Sequence, residues 1–444
     1  MLKNRRIKGV RGRKPIMLYD LGVNGKLNFI DLFAGAGGLS EGFIRAGFNP
    51  IAHVEMNEDA SKTLETRLAY HYLKMINNLK PYYEYEMGRI SREDFLEVIP
   101  DVVKKSVINE TMTEMTLPTI FQKIDEMLNV NGQRKHVHLV VGGPPCQAYS
   151  LVGRARILKK ENRDRESDSR KTLYLLYTKF LQHFNPDMFV FENVLGLNSV
   201  KDVNGNLIYP QLEQSLENAG YTVVKKEQDA ENFGVPQKRK RLIIIGWKNN
   251  SNHFYPIFPI IKNNTTIKKI LADLPAVSRG NSETNYKLPL CKASTYIKNN
   301  KIRERKDVLT IHEARTNSEN DVEIYKKVIR AWNRGERLRY DKLPKRLKSH
   351  KNQNGFLDRF KVVEGKWTAC HTILAHLAKD GHYFIHPDIK QCRSITPREA
   401  ARLQSFPDNY YFEGSRTSRF TQIGNAVPPL MAEIIANAIK EQFL

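Results

Sequence analysis

The chain is short of cysteine, and its few cysteines are scattered. Among 444 residues there are four, Cys146, Cys291, Cys370 and Cys392, with no CxxC pair and no histidine cluster that would complete a zinc site. This excludes a disulfide scaffold, predicts no metal site and points to a reducing, cytosolic compartment. Long apolar runs are missing as well. The longest, such as LIIIGW, fall far short of a membrane span. The N-terminus, MLKNRRIKGVRGRKP, is basic but lacks an apolar h-region, so it does not read as a secretory signal. No internal repeat is present.

Acidic residues are in deficit. Asp and Glu number 48 against 71 Lys and Arg, a formal charge of +23. An excess of this size suggests a polyanionic partner, with nucleic acid first. The competing explanation is drift, because the chain is rich in Lys, Asn and Ile, as an AT-rich genome would encode. A hydrophobic content of 41% marks a globular protein. The length suffices for about two or three domains.

Residues 1–27 read as a basic arm. A strand signal, LNFIDLFA, then breaks at GAGG and continues as a helix signal, LSEGFIRAGF. NPIAHVEMN is a second strand, followed by helical sequence over about 58–78. Residues 79–118 look irregular, with tyrosines and mixed charge, and suggest an insertion. VHLVVGG and DMFVFENV are further strands, separated by the helix-like TLYLLYTKFLQHF; YTVVKKEQDA and RKRLIIIGW are two more. This alternation predicts an α/β fold: a parallel sheet with late antiparallel strands and a ligand crevice at the carboxyl ends. Residues 28–261 form this first domain. Residues 262–392 are Lys/Asn-rich with weak periodicity, and read as a second, smaller, less regular domain. Residues 393–444 return to helical sequence. Thr396 is the expected N-cap, Pro397 the first helical residue and Glu399 the capping-box acid. IGNAVPPLMAEIIANAIKEQF reads as a Gly-Asn turn into an amphipathic helix.

Four stretches carry chemistry. In DLFAGAGGLS, Gly35 and Gly37 allow backbone to approach a ligand, and the helix that follows offers its N-terminus. The stretch is not GxGxxG, because Ser40 holds the third position, and no Gly-Lys-Ser/Thr follows. An adenosine-bearing ligand other than a dinucleotide is the better match. Glu55 ends the second strand about 20 residues on, where an acid would bond ribose hydroxyls. The alternative is a tight glycine turn with a surface Glu. In GGPPCQAYS, Cys146 sits at a strand end behind two stiffening prolines, a setting for a nucleophilic thiolate rather than a buried inert Cys. In FENV, Glu192 lies at the next strand's carboxyl end, on the same edge as Cys146, where a carboxyl could serve as an acid or simply as a surface Glu. In QKRKR, Gln237, Arg239 and Arg241 share one face of a strand, with Lys238 and Lys240 on the other. One face could enter a site while the other meets phosphate, or the strand could be merely solvated.

The ordered set DLFAGAGG, an acid ending the second strand, PPCQ, ENV, QxRxR, RExxRLQxFP and GNAVPP resembles the DNA cytosine-5 methyltransferases of bacterial restriction-modification type. The resemblance covers about 31–260 and 393–444. It implies an S-adenosylmethionine-dependent methyltransferase, Rossmann-like fold with a mixed sheet, in which residues 28–261 hold cofactor and chemistry, 262–392 recognise the target and 393–444 return to the catalytic domain. It implies that Cys146 attacks C6 of cytosine, that Glu192 acts at N3, and that Arg241 contacts O2 with Arg239 and Gln237 alongside. Phe33, Gly35, Gly37, Gly38, Glu55, Pro144, Leu173 and Asn425 would line S-adenosyl-L-methionine. Met56 stands where many members have an aromatic and would pack on adenine. Glu110 in VINET matches the acid for the adenine amino group, after a longer tract than the family's usual one.

The target base must leave the duplex for this chemistry. Residues 150–171 would then form a loop closing over double-stranded DNA, with Ser150, Gly153 and Arg154 matching the family pattern and Gln147 beside the nucleophile. Thr372-Ile373 matches the family's Thr-aliphatic pair, and Arg346, Lys348, Asn352, Gln353, Asn354 and Arg359 are candidate base or phosphate contacts. A partner restriction endonuclease, a monomeric state and a cytoplasmic location complete the expectation. The alternatives are a transfer-RNA cytosine-5 methyltransferase, or a DNA-binding regulator without activity.

Overall fold

A computed structural model describes residues 27–145, 173–202, 204–349 and 357–444. Seven strands form the main sheet: β1 (Asn28–Leu32), β2 (Asn49–Glu55), β3 (Val107–Asn109), β6 (Leu139–Gly142), β7 (Met188–Asn193), β8 (Tyr221–Asp229) and β9 (Lys240–Lys248). The intervening β4 (Asn129–Val130) and β5 (Gln133–Arg134) make a separate hairpin. The sheet order is β3-β2-β1-β6-β7-β9-β8. The first five strands in that order run parallel, and β9 runs antiparallel to both β7 and β8. NFIDL and LVVG are buried along their whole length, as strands covered on both faces must be. From β1 the chain steps outward to β2 on one side, while β6 and β7 lie on the other. The β1–β6 junction is therefore the topological switch point, and a crevice opens at the carboxyl ends of those strands.

One apolar cluster packs Phe29, Phe43, Val141 and Val190 with residues late in the chain, including Leu403, Phe406, Ile435 and Ile439. Ile267, Ile270, Ile297, Ile373 and Phe384 from residues 262–392 join the same cluster. A second cluster on the opposite face gathers Ile30, Leu32, Val140, Tyr177, Phe180 and Leu212. Helix Pro429–Lys440 lies along helix Gly38–Arg45, where Arg45 Nε meets Glu433 Oε2 at 3.0 Å and Lys440 Nζ donates to the Ala46 carbonyl at 3.1 Å.

Two readings change and one, the less regular second domain, gains a long helix. Residues 79–118 are not irregular: they hold helices Lys80–Glu86, Arg92–Glu97 and Asp101–Lys105 and the edge strand β3. A Ser91–Asp94 capping box starts the second of these, and Tyr82, Phe95, Ile99 and Val103 bury themselves against Leu68 and Leu73 of helix Glu58–Met75. Elements of seven residues or fewer leave too little periodicity to be seen in sequence. Residues 262–392 contain a 15-residue helix, Glu319–Asn333, opened by a Ser318–Asp321 capping box. Its Ile324, Tyr325, Val328 and Ile329 form a small core with Tyr340, Leu343, Phe360 and Ile385. Finally, Gly424 and Asn425 end a helix, Arg416–Asn425, rather than forming a free turn. The helix Pro397–Leu403 has the cap read from sequence, with Thr396 accepting from the Glu399 amide and Glu399 accepting from the Thr396 amide.

Buried charge ties residues 262–392 to the C-terminal segment. Arg402 binds Asp273 at 2.5 Å and Asp408 at 2.6 Å, and Arg303 reaches the same Asp273 at 2.7 Å. Arg393 holds Glu399 with two contacts of 2.8 Å. No helix of the described residues is long and apolar enough to cross a membrane.

Candidate active site

The glycine turn follows β1 directly. Phe33 has φ +55° and Gly35 φ +55°, and Gly37 caps the next helix at φ +79°. Glu55, at the end of β2, binds this turn: Oε2 accepts from the Gly35 amide at 2.8 Å and Oε1 from the Asn57 amide at 2.7 Å. Burial nevertheless holds the Glu55 carboxyl above its ordinary value, with these hydrogen bonds acting the other way. Met56, next to it, is 62% exposed, an unusual position for a large apolar side chain. Glu110 follows β3, and its amide donates to the Glu55 carbonyl at 3.1 Å, so two acids stand side by side on one edge.

The turn fits an adenosine-bearing cofactor. A Cβ on Gly35 would meet nothing within 4 Å, so the space above the turn is open. Beneath it, Asp31 is buried, and neither carboxyl oxygen has a hydrogen-bond partner among the described residues. Burial, and after it the Glu55 charge, pushes the Asp31 carboxyl well above the usual carboxylate range. The C-terminal segment closes one wall. The Val427 carbonyl lies 2.2 Å from where a Cβ on Gly38 would stand, so only glycine admits it there. Asn425, two residues earlier, is exposed beside this contact. Leu173 begins helix Leu173–Phe184 and is partly buried.

The second half of the edge is built by β6, β7 and β9. Gly143 passes so close to β7 that a Cβ on it would lie 1.9 Å from the Glu192 carbonyl. Asn193 Nδ2 donates to the Pro144 carbonyl at 3.2 Å. Asn193 was not singled out in the sequence; the signal for it was present in ENV, because the residue after a strand-end acid is placed to tie the neighbouring loop. Cys146, Gln147, Ser150, Gly153 and Arg154 lie outside the described residues, as do Asn352, Gln353 and Asn354.

Glu192 and Arg241 meet across the β7–β9 pair, Arg241 Nε to Glu192 Oε1 at 2.8 Å, with both side chains largely buried. Arg241 also donates Nη1 to the Lys240 carbonyl at 2.8 Å. The alternation of QKRKR is visible: Lys238 and Lys240 are exposed, while Gln237 and Arg239 are buried. Both buried residues are bonded to the chain itself. Arg239 donates to the carbonyls of Ile373 at 2.8 Å and Gly424 at 3.0 Å. Gln237 donates to the Leu403 carbonyl and Gln404 Oε1, and accepts from the Ile373 amide at 2.8 Å. Thr372 Oγ1 donates to the Lys238 carbonyl at 2.7 Å. The structure thus gathers Glu192, Arg241, Thr372 and Asn425 around one strand. Among the described residues, one His/Asp group is close enough to share a metal ion: His136, His138 and Asp187. It lies at the opposite, amino-terminal edge of the sheet, and its members are already bonded, His136 to Asp187 at 2.7 Å and His138 to the Asn28 amide at 3.0 Å.

A mixed sheet with this switch point, a glycine turn bound to an acid after β1, and an acid–arginine pair on the same edge define the class, the S-adenosylmethionine-dependent α/β methyltransferases. The model of the C-5 cytosine-specific DNA methylase family matches residues 27–90 and 109–441, and the chain belongs to that family; it is a DNA (cytosine-5-)-methyltransferase. It is 41% identical to the Type II methyltransferase M.Bpa9945I of Bacillus paralicheniformis, over 93% of this chain and 98% of that relative. It is 30% identical to the Type II methyltransferase M.DdeI of Desulfomicrobium norvegicum, over 94% and 89%. Its fold is similar to that of a prophage-encoded DNA modification methyltransferase (E. coli) of known structure, with a TM-score of 0.60 and 22% identity over 94% of this chain and 99% of that one.

Proposed function

We propose that the chain methylates C5 of a cytosine flipped out of duplex DNA, with Cys146 as nucleophile and the Glu192–Arg241 pair as its partners. The pair itself carries this reading: it stands on the edge where the Pro144-Pro145 segment leads to Cys146, fixed there by Gly143 and Asn193. The Cys146 thiolate adds to C6, which makes C5 nucleophilic. Glu192 hydrogen-bonds or protonates N3 and so offsets the charge developing in the ring. Arg241 orients Glu192 through Nε and directs the remainder of its guanidinium to O2. S-adenosylmethionine, when bound, supplies the methyl group as a sulfonium electrophile. Transfer of the C5 proton to a water, with expulsion of the Cys146 thiolate as the C5–C6 double bond re-forms, then releases the methylated base. Phe33, Gly35, Gly37, Gly38, Glu55, Met56, Pro144, Leu173 and Asn425 would hold the cofactor, with Glu110 as the acid for its adenine amino group. Gln237 and Arg239, bonded inside the protein, act as positioning residues for Arg241, Thr372 and Asn425 rather than as contacts to the base or DNA.

Residues 262–392 read the sequence, and the enzyme protects host DNA beside a cognate endonuclease, as the Type II names of its relatives suggest. Methyl-tritiated cofactor, supplied with duplex DNA or with transfer RNA, tests this reading. Label is expected in DNA and lost in Cys146→Ser. Label confined to transfer RNA, or full transfer by Cys146→Ser, contradicts it. Bisulfite sequencing of DNA from an expressing strain identifies the cytosine.

A further inference from the structure

The helices between residues 80 and 105 have no part in the reading above, and residues 91–108 lie between the two stretches matched by the family. The helix Arg92–Glu97 sends its first side chain back into the body of the protein. Arg92 Nη1 donates to Glu413 Oε1 at 2.7 Å and to Thr66 Oγ1 at 2.6 Å. Its Nη2 meets the Glu65 carboxylate and donates to the Lys62 carbonyl at 3.3 Å. One largely buried guanidinium thus joins the insertion, helix Glu58–Met75 and the C-terminal segment. Tyr85 adds a second hold, its hydroxyl donating to Glu413 Oε1 at 2.9 Å and lying 3.0 Å from Oε2. Tyr82 adds a third, donating to the Asn409 carbonyl at 2.7 Å.

Both partners of Arg92 lead to the cofactor edge. On one side, the start of helix Glu58–Met75 is bonded to Glu55. The Asn57 amide donates to the Glu55 carboxylate at 2.7 Å, and Ser61 Oγ donates to the Glu55 carbonyl at 3.2 Å. On the other side, the main chain of Glu413 is held twice. Its amide donates to Thr63 Oγ1 at 2.9 Å, and its carbonyl accepts from Gln422 Nε2 at 2.9 Å. Gln422 precedes Asn425 by three residues in helix Arg416–Asn425, so Glu413 fixes the element that delivers Asn425 and the Val427 wall. Between these two sides, Gly414 passes so close to helix Glu58–Met75 that a Cβ on it would lie 2.3 Å from Asp59 Oδ2. Two carboxylates, Glu65 and Glu413, converge on one planar fork. Without the arginine they repel each other, and the two sides part at this point.

We propose that Arg92 is a positioning residue for S-adenosylmethionine, and that the insertion is a clamp fastening the Asn425–Val427 wall of the pocket to the Glu55 wall. This rests on the cofactor reading above and adds to it a group that touches neither cofactor nor DNA.

Calorimetric titration of the full-length protein with S-adenosylmethionine tests the clamp. Arg92→Ala is expected to weaken cofactor binding about tenfold. In methyl transfer to duplex DNA, the KM for cofactor should rise by the same factor, while kcat at saturating cofactor stays at the wild-type value. Val103→Ala trims the core that Tyr82 and Phe95 share and does not touch Glu413. It should cost stability and leave cofactor affinity unchanged. If Arg92→Ala does not fold, Tyr85→Phe decides, because it removes one hydroxyl from Glu413. A loss of about two- to fivefold in cofactor affinity then supports the clamp, and wild-type affinity overturns it. Wild-type affinity in a folded Arg92→Ala overturns the clamp and leaves the enzyme reading standing. An equal loss in Val103→Ala does the same, since the effect then follows stability alone, as does a fall in kcat with KM unchanged. Wild-type protein that does not bind S-adenosylmethionine overturns the cofactor reading and the clamp with it.

Discussion

Arg241 Nε and Glu192 Oε1 lie 2.8 Å apart across two antiparallel strands, β7 and β9. Glu192→Gln removes the acid but keeps the shape, and its methyl transfer is expected to fall by about 10²–10⁴. Arg241→Lys is not a conservative change, because an ammonium cannot bond Glu192 and a base oxygen from one planar fork. It should lose activity nearly as fully as Arg241→Ala. Incorporation of labelled methyl groups into duplex DNA measures both, and near wild-type rates in either variant would remove the pair from the chemistry.

Glu55 offers one oxygen to the Gly35 amide and the other to the Asn57 amide. Glu55→Gln keeps the size of the side chain but has one acceptor oxygen, so it loses the charge and can hold only one of the two amides. Affinity for S-adenosylmethionine should fall by about 10–100-fold, the value of one charge-assisted hydrogen bond. Isothermal titration calorimetry reads this directly.

Glu399 and Arg393 form a fully buried pair, and the neighbouring Arg393 and His386 hold the Glu399 carboxyl well below the usual carboxylate range against the opposing effect of burial. Glu399→Gln leaves the guanidinium buried without a counter-charge, at a cost of about 3–5 kcal/mol. Denaturant unfolding should show this loss. The cap of helix Pro397–Leu403 depends on the same side chain, so amide exchange should rise there first.

Asp307 is buried beside Asn409, and burial pushes its carboxyl up to about 6. The sign follows from proton binding. Between about pH 4 and 6 the folded state retains a proton that the unfolded chain releases, so this group stabilises the fold at low pH and that contribution is lost as pH rises. Asp307→Asn removes the dependence. The difference in unfolding free energy between variant and wild type should shift in the variant's favour by up to about 3 kcal/mol across that window. Parallel pH profiles for the two proteins would show that Asp307 does not titrate as described.

The parallel sheet was legible because LNFIDLFA, VHLVVGG and DMFVFENV are nearly continuous apolar runs that end at glycine or an acid. The helix from Pro397 was legible because its cap uses three residues in a fixed spacing. β3 and the helices between 80 and 105 were not, since each is shorter than two turns and relies on Tyr82 and Phe95 docking onto a helix earlier in the chain. The exposed and buried faces of QKRKR were correct in alternation. What sequence could not show was the destination of the buried face: Arg239 and Gln237 find carbonyls of residues 373, 403 and 424. Partners more than 100 positions away leave no local signal. Glu110 was placed by register, once β3 brought it beside Glu55.

The wall supplied by Val427 has a consequence for synthesis. The glycine turn is synthesised first, and the segment that closes over Gly38 is made nearly 400 residues later. At bacterial elongation rates of about 5–20 residues per second, that interval is on the order of tens of seconds. During it, Phe43 and the glycine turn lack their helical cover. A product truncated before Val427 therefore lacks that wall.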